Sequence, residues 1–118
     1  MRRLRDRLID ALEAIEAIEA AAAKGRGAFD ADPYVRMWIV HHLQVIGEAV
    51  RPFSSELREL RPQIPWSQIV GIRHVLVHQY YRIDPDVVWA AVQNDLPDLK
   101  ATVRALVDEL GAGETGSS

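Results

Sequence analysis

The sequence contains no cysteine, so neither disulfide bridges nor thiolate metal ligands can hold this fold or do its chemistry. The absence of cysteine fits a reducing compartment, and we expect a cytoplasmic protein. Apolar runs are short, well below the roughly 20 residues that a membrane-spanning helix needs. The N-terminus, MRRLRDRLID, is rich in arginine and has no apolar stretch of signal-peptide length. We therefore expect no membrane association.

The sequence also lacks an excess of positive charge. Lysine and arginine number 14 against 17 acidic residues, which gives a formal net charge of -3. Such a chain is no general polyanion binder, so contact with a nucleic acid requires a local patch, for example one assembled from two subunits. The 118 residues, 48% of them hydrophobic, are enough for one domain with a core of its own.

Hydrophobic residues recur at helical spacing, and no segment alternates as a strand would. A first helix is predicted from about Arg2 to Lys24, closed by Gly25 and Gly27. A second runs from Pro33 to about Arg51, and a short helical turn and loop occupy residues 54–65. The sequence therefore predicts an all-α bundle of four principal helices with one short extra turn.

Two Asp-Pro pairs predict helix starts, since aspartate caps a helix and proline suits its first position. Asp32 and Pro33 begin the second helix, and Asp84 and Pro85 begin the last one. Pro97 falls inside the last apolar stripe and should kink that helix or interrupt its hydrogen bonds. We predict a domain over residues 1–111 and a disordered tail over 112–118, AGETGSS.

The third helix, beginning near Trp66, carries an unusual polar cluster in the stretch GIRHVLVHQYYRIDPDVVW at 71–89. On an ideal helix Arg73 lies about 55° from the apolar stripe, and His74 and His78 share the opposite face. Arg73 and His78 diverge by roughly 140°. The residues alone leave three functional interpretations open, each beside a purely structural one.

The first interpretation is a metal site, because histidines four apart on a helix can chelate zinc. His74 and His78 are separated only by Val75, Leu76 and Val77, so this pattern lacks a third ligand and an adjacent glutamate. We predict no metal site. His41 and His42 are adjacent, hence about 100° apart on their helix, and fit an exposed or interfacial polar pair.

The second interpretation makes Arg73 and His78 a catalytic pair acting on a phosphodiester. The guanidinium suits phosphate oxygens, and the imidazole can transfer a proton near neutral pH. RNA supplies its own nucleophile, the ribose 2′-OH, so no cysteine or metal is obligatory. The structural alternative is a solvated helix face.

The third interpretation is a docking surface for a partner chain, with Tyr80 or Tyr81 as its anchor. The structural alternative is that Tyr80 is a tyrosine of the core.

The spacing R-x-x-x-x-H-x-Y, from Arg73 through His78 to Tyr80, resembles the signature of HepT-like toxins in the HEPN superfamily. The resemblance extends beyond the motif to three blocks in the family's order, the second of which contains the motif: HLQVIGEAV at 42–50, QIPWSQIVGIRHVLVHQYYRID at 63–84 and VWAAVQNDLPDL at 88–99. The resemblance covers most of residues 1–110. It implies an antiparallel bundle of four to five helices that forms a homodimer, or a higher oligomer, with two motifs meeting at the interface.

The resemblance further implies a metal-independent endoribonuclease toxin that cuts RNA, either tRNA or mRNA, and needs no cofactor. His78 would be the general acid or base, and Arg73 would hold the scissile phosphate. The implied antitoxin is an MntA-type minimal nucleotidyltransferase that transfers AMP from ATP to the motif tyrosine, Tyr80. The family usually has Asn after the motif arginine, whereas this chain has His74, which becomes a possible auxiliary residue. The alternative is a non-catalytic HEPN module that binds a nucleotidyltransferase, or a plain structural dimer.

Overall fold

The first long helix, α1 (Leu4–Ala22), buries one face and is followed by a glycine with left-handed backbone geometry. In this computed structural model, residues 4–71 and 84–117 are described, with side chains to residue 111. Gly25 has φ of +92°, a conformation that glycine adopts without steric cost. The predicted end of the first helix is confirmed. Its buried side chains recur every three or four positions: Leu4, Leu8, Ala11, Ala14, Ile15, Ile18 and Ala21.

A short helix, α2 (Arg26–Ala31), occupies the connection to the next long helix. The sequence analysis assigned no helix here, because two glycines close together are typical of a helix end. Only Gly25 has that role, whereas Gly27 lies within α2. The side chain of Phe29 is fully buried, so contact with the core holds this single turn and a half in place.

The second long helix, α3 (Pro33–Val50), begins as predicted. The carboxylate of Asp32 accepts a hydrogen bond of 2.9 Å from the backbone N–H of Tyr34. A 3-10 turn over Arg51–Phe53 and helix α4 (Ser54–Leu60) follow. They correspond to the predicted short helical turn and to the predicted stop near Pro52.

The described part of helix α5 covers residues 66–71, so the predicted start near Trp66 is confirmed. The last predicted helix is divided into α6 (Pro85–Asn94) and α7 (Leu96–Ser117). Pro97 lies in the first turn of α7, where backbone N–H groups have no acceptor within the helix. The proline, which has no N–H, therefore costs the helix no hydrogen bond. The predicted interruption is confirmed. The helical backbone of α7 continues into residues 112–117, where the composition predicts disorder, and the domain boundary near residue 111 stays a prediction.

Helix α1 lies at the centre of the packing, between α3 and α7, and α6 packs on α7. Over residues 4–71 and 84–117 every regular element is a helix, which confirms the all-α fold class. Over residues 4–71 and 84–111, where side chains are described, all buried residues are apolar, so this part of the core is held by hydrophobic burial without interior polar groups. Among the described helices, none combines the length and apolar character that crossing a bilayer requires.

Candidate functional site

The predicted site residues lie outside the described residues. Arg73, His74, His78 and Tyr80 all fall between residue 71, where the described part of α5 ends, and Asp84, which precedes α6. Whether these four side chains come together is therefore a prediction. The structure does describe both ends of the segment that carries them, and each end is fixed by specific contacts.

The entry to the segment is anchored by Trp66, the first residue of α5, whose side chain is only 1% exposed. Its indole Nε1 donates a hydrogen bond of 2.9 Å to the carbonyl oxygen of Arg61. The backbone N–H of Ile69 donates to the carbonyl of Pro65 at 3.1 Å, which closes the first helical turn. Burial of a large aromatic ring together with a satisfied indole N–H sets the starting point and direction of α5.

A small cavity of about 270 Å³ lies beside the start of α5. Most of the residues that line it are apolar, and its polar lining residues include Gln68 and Asp98. The volume is below the range of about 300–1,000 Å³ that small-molecule sites usually occupy. The apolar side chains that line it come from α3, the loop before α5, α5 itself and the junction of α6 with α7: Leu43, Ile46, Ile64, Pro65, Ile69, Ala91, Leu96 and Leu99.

The exit from the segment is fixed by an N-cap and by a cation from a distant part of the chain. The carboxylate of Asp84 accepts a 2.9 Å hydrogen bond from the backbone N–H of Asp86. The guanidinium of Arg26 donates to Asp30 at 2.8 Å and also to Asp86. These side-chain hydrogen bonds, from Asp30 first and Asp86 second, raise the pKa of Arg26. The start of α6 is thus tied to α2.

Aromatic rings complete this anchor. The Phe29 and Trp89 ring centroids are 5.1 Å apart, with the planes tilted by 47°. The guanidinium carbon of Arg26 lies 5.7 Å from the Phe29 centroid and 5.9 Å from that of Trp89, within cation–π distance. Sequence reasoning missed Arg26. The available signal was the spacing of Arg26 and Asp30 on one helical turn, which identifies neither Asp86 nor Trp89 as a partner.

Comparison with known proteins shows which family this chain belongs to. Residues 11–106 match the sequence profile of the family described as Ribonuclease HepT-like. The chain is a member of the HepT-like family. The matched range contains the whole segment from Arg73 to Tyr80, together with both of its anchored ends. The recognition made from the motif is therefore confirmed at the level of the family.

Several individual relatives agree with this assignment. "Putative RNase MJ1380" of Methanocaldococcus jannaschii is 38% identical over 69 residues, which is 58% of this chain and 63% of that protein. "Putative RNase TTE0752" of Caldanaerobacter subterraneus is 31% identical, over 69% of this chain and 72% of its own length. "Probable ribonuclease HepT" of Thermococcus cleftensis is 33% identical, over 66% and 71%. No solved structure matches the chain.

A second, larger groove of about 1,000 Å³ lies on the surface of this HepT-like protein where α1 and α3 pack together. Arg7 and Arg51 line it together with carboxylates, including Asp10 and Glu13. The Arg7 guanidinium lies 3.4 Å from the Asp10 carboxylate. Because the two signs of charge alternate, this groove has no continuous positive surface for a phosphate backbone.

The remaining histidines, His41 and His42, lie on α3 beside that groove. His41 is exposed and His42 is half-buried, and their ring centroids are 5.0 Å apart in an edge-to-face arrangement. The Nδ1–H of His42 donates to the carbonyl oxygen of Trp38 at 2.7 Å. The exposure of His41 agrees with the expected exposed or interfacial polar pair, and an interfacial role stays a prediction. Within residues 4–71 and 84–111, no group of three or more histidine and carboxylate side chains is placed to hold a metal ion.

Proposed function

We propose that this HepT-like protein is a metal-independent endoribonuclease and the toxin of a toxin–antitoxin pair. The observation that carries the proposal is the R-x-x-x-x-H-x-Y sequence from Arg73 to Tyr80, inside the part of the chain that matches the ribonuclease family. The names of the relatives, which call them RNases, support the same class of substrate.

The proposed reaction uses the 2′-OH of the RNA as nucleophile. The 2′ oxygen bonds to the adjacent phosphorus, the bond from phosphorus to the 5′ oxygen breaks, and a 2′,3′-cyclic phosphate and a 5′-OH end result. The imidazole of His78 takes the proton of the 2′-OH or donates one to the leaving 5′ oxygen. The guanidinium of Arg73 holds the phosphate and the negative charge that grows on it. His74, one residue further on, is proposed to contact the RNA as an auxiliary residue.

Two copies of the motif are proposed to form one site in a homodimer. A dimer offers two imidazoles, so one copy of His78 can act as base while the other acts as acid. It also brings two copies of Arg73 to one RNA strand, which supplies local positive charge despite the net charge of -3.

Control of the toxin is proposed to act on Tyr80. An MntA-type nucleotidyltransferase would join the tyrosine oxygen to the α-phosphorus of ATP and release pyrophosphate. The attached AMP adds bulk and negative charge two residues from His78, and both oppose entry of an RNA backbone. Mass spectrometry after incubation with the nucleotidyltransferase and ATP should locate AMP on Tyr80 and find none in a Tyr80→Phe variant. Modification at Tyr81 alone would contradict this assignment.

The deciding experiment is an RNA-cleavage assay in the presence of EDTA that compares the wild type, His78→Ala and the matched histidine control His42→Ala. We expect cleavage with cyclic phosphate ends by the wild type and by His42→Ala, and none by His78→Ala. The His78→Ala variant should still form the dimer and bind the nucleotidyltransferase. If well-folded, unmodified wild-type protein cleaves no RNA, the chain is instead a non-catalytic module that docks the nucleotidyltransferase.

A further inference from the structure

The small cavity beside the start of α5, here called the α5 cavity, combines buried apolar residues with exposed polar ones. The residues that line it include Ile46, Ile64 and Leu96, all of which are buried. Four polar residues also line it, and every one of them is exposed: Gln63, Gln68, Asp95 and Asp98. A concave apolar surface with a few polar groups around it is the usual form of a ligand site.

The polar side chains of the α5 cavity are available to a ligand. Within the part of the chain that the structure describes, no hydrogen bond or ion pair engages the side chains of these two glutamines and two aspartates. Two cations close to them in sequence have other partners, since Arg61 pairs with Glu109 and Lys100 pairs with Glu19. Neither cation therefore neutralises the carboxylates at the cavity.

The chemistry of these groups indicates which ligand would fit. A carboxylate accepts hydrogen bonds and donates none, whereas a glutamine amide does both. A matching ligand has an apolar or flat body, adjacent N–H donors for Asp95 or Asp98, and an acceptor for Gln63 or Gln68. Among the four RNA bases only guanine carries two adjacent donors, N1–H and the exocyclic N2 amine, next to a carbonyl acceptor, O6.

We propose that the α5 cavity binds an unpaired guanine base of the RNA near the bond that is cut. The face of the ring packs on the apolar lining, N1–H and the N2 amine donate to a carboxylate of Asp95 or Asp98, and O6 accepts from a glutamine amide. Proteins commonly read single-stranded RNA through such contacts to the base edges. The inference rests on the proposed function for RNA as the substrate and deepens it by naming a base.

The size of the α5 cavity suits one base. Its volume of about 270 Å³ corresponds to about nine water molecules at about 30 Å³ each. A single purine ring system needs a comparable space, whereas a whole nucleotide needs more. The sugar and phosphate would therefore stay outside the cavity, which separates the phosphate from the two carboxylates.

The position of the α5 cavity in the chain fits a contact with the substrate. Gln68 and Ile69 belong to the first turn of α5 and line the cavity. They precede Arg73, the proposed phosphate-binding residue, by five and four positions. A base held beside the start of α5 would set which phosphodiester bond of the strand reaches the motif.

The first test measures which bonds the wild type cuts in a pool of random RNA, by sequencing the new ends. We expect guanine to be enriched by about tenfold at one fixed position relative to the cut, as one bidentate contact to a base allows. Inosine, which lacks only the N2 amine, should slow cleavage about tenfold when it replaces that guanosine. Cleavage without a preference for guanine, or equal cleavage of the inosine RNA, would overturn the inference.

The second test assigns the preference to the α5 cavity. The test variant carries Asp95→Asn and Asp98→Asn, and the matched control is Asp108→Asn, at an exposed aspartate of α7 that does not line the cavity. We expect the test variant to lose most of the difference between guanosine and inosine RNA, and the control to keep it. Circular dichroism checks that both variants fold.

The same variant separates base recognition from a general effect of charge. Removal of two carboxylates that merely repel the RNA backbone would raise cleavage of the guanosine and inosine RNAs together. Removal of a guanine contact lowers cleavage of the guanosine RNA relative to the inosine RNA. A parallel rise for both RNAs, with the wild-type ratio kept, would overturn the inference.

A binding measurement distinguishes failure of this inference from failure of the proposed function. The probes are two uridine strands whose 2′ oxygens are methylated, so that neither can be cut, with one central guanosine or one central inosine. We expect the wild type to bind the guanosine strand at least about fivefold more tightly, and equal binding or no binding of both would overturn the inference. Selective binding without cleavage of any RNA removes only the nuclease, and cleavage without base preference removes only the guanine site.

Discussion

The guanidinium of Arg26 on α2 bonds the carboxylate of Asp86 on α6, sixty positions further along the chain. The same guanidinium also holds Asp30 and lies over two aromatic rings, Phe29 and Trp89. The connection between the two long N-terminal helices is thereby joined to the first turn of α6. That turn immediately follows the segment that contains Arg73 to Tyr80, the predicted site residues.

Replacing Arg26 by alanine should lower the melting temperature, because it removes two hydrogen-bonded ion pairs and a cation over two rings. Arg26→Lys should fall between alanine and the wild type, since an ammonium retains the charge but not the planar fork. The matched control is Arg7→Ala, which removes the ion pair with Asp10, three residues away on the same helix. Thermal unfolding followed by circular dichroism measures all three, and equal melting temperatures for Arg26→Ala and Arg7→Ala would contradict the anchoring role.

Gly25 and Gly27 should respond oppositely to substitution by alanine. Gly25 has φ of +92°, a region that costs an alanine about 1–2 kcal/mol. Gly27 lies within α2, and a Cβ built there has no atom within 4 Å. We therefore expect Gly27→Ala to stabilise the protein by about 0.5–1 kcal/mol. Denaturant titration measures both free energies of unfolding, and destabilisation by Gly27→Ala would contradict this assignment of roles.

The two helix caps, Asp32 and Asp84, allow a comparison between stability and activity. Each carboxylate accepts a 2.9 Å hydrogen bond from the backbone N–H two residues further on. Alanine at either position should cost about 0.5–2 kcal/mol of stability. Only Asp84→Ala should also reduce RNA cleavage under conditions where both variants are folded, because only Asp84 adjoins the motif segment. Equal cleavage by the two variants would contradict a link between this cap and the site.

Substitution of Trp66 should lower the free energy of unfolding substantially, whereas substitution of Trp38 should change it little. Trp66→Phe removes volume from a fully buried site and leaves the carbonyl of Arg61 without its indole donor, so we expect a loss of about 1–3 kcal/mol. Trp38 is half-exposed, and Trp38→Phe should change the stability of the monomer by less than about 1 kcal/mol. Urea denaturation of the two variants, both at low protein concentration, tests this difference.

RNA cleavage should decline steeply as salt is added. The chain has a net charge of -3, so attraction of the RNA must come from a few local cations, whose contacts with phosphate release counterions. The measurement is the initial cleavage rate at increasing concentrations of potassium chloride, with the melting temperature followed in parallel. A rate that stays constant while the protein remains folded would contradict local phosphate attraction.

The helices that could be predicted from the sequence are those whose signals are local. The Asp-Pro pairs at 32–33 and 84–85 mark helix starts, and Pro97 marks the interruption between α6 and α7. Helix α2 could not be predicted, because its six residues are too few to form a helix alone and depend on burial of Phe29. Stabilisation by tertiary contact leaves no periodic pattern in so short a segment.

For the candidate site, too, the features with a local sequence signal could be predicted, and those that depend on distant contacts could not. The spacing of Arg73, His78 and Tyr80 is local and could be recognised directly, and the family match supports its context. The anchor at Arg26 could not be found, since its partner Asp86 is distant in sequence and ordinary in type. The exposure of Tyr34 and Trp38 was also missed, because these are aromatic residues that periodicity alone does not separate from a second buried face.

The three tryptophans stand in three different environments, and this gives the protein built-in optical probes. Trp66 is fully buried at the start of α5, Trp89 is half-buried against Phe29, and Trp38 is half-exposed on the surface of α3. Indole emission shifts to longer wavelength as water reaches the ring. Single-tryptophan variants can therefore follow core melting, loosening of the α2–α6 contact and changes at the surface of α3 as separate fluorescence signals, without any attached dye.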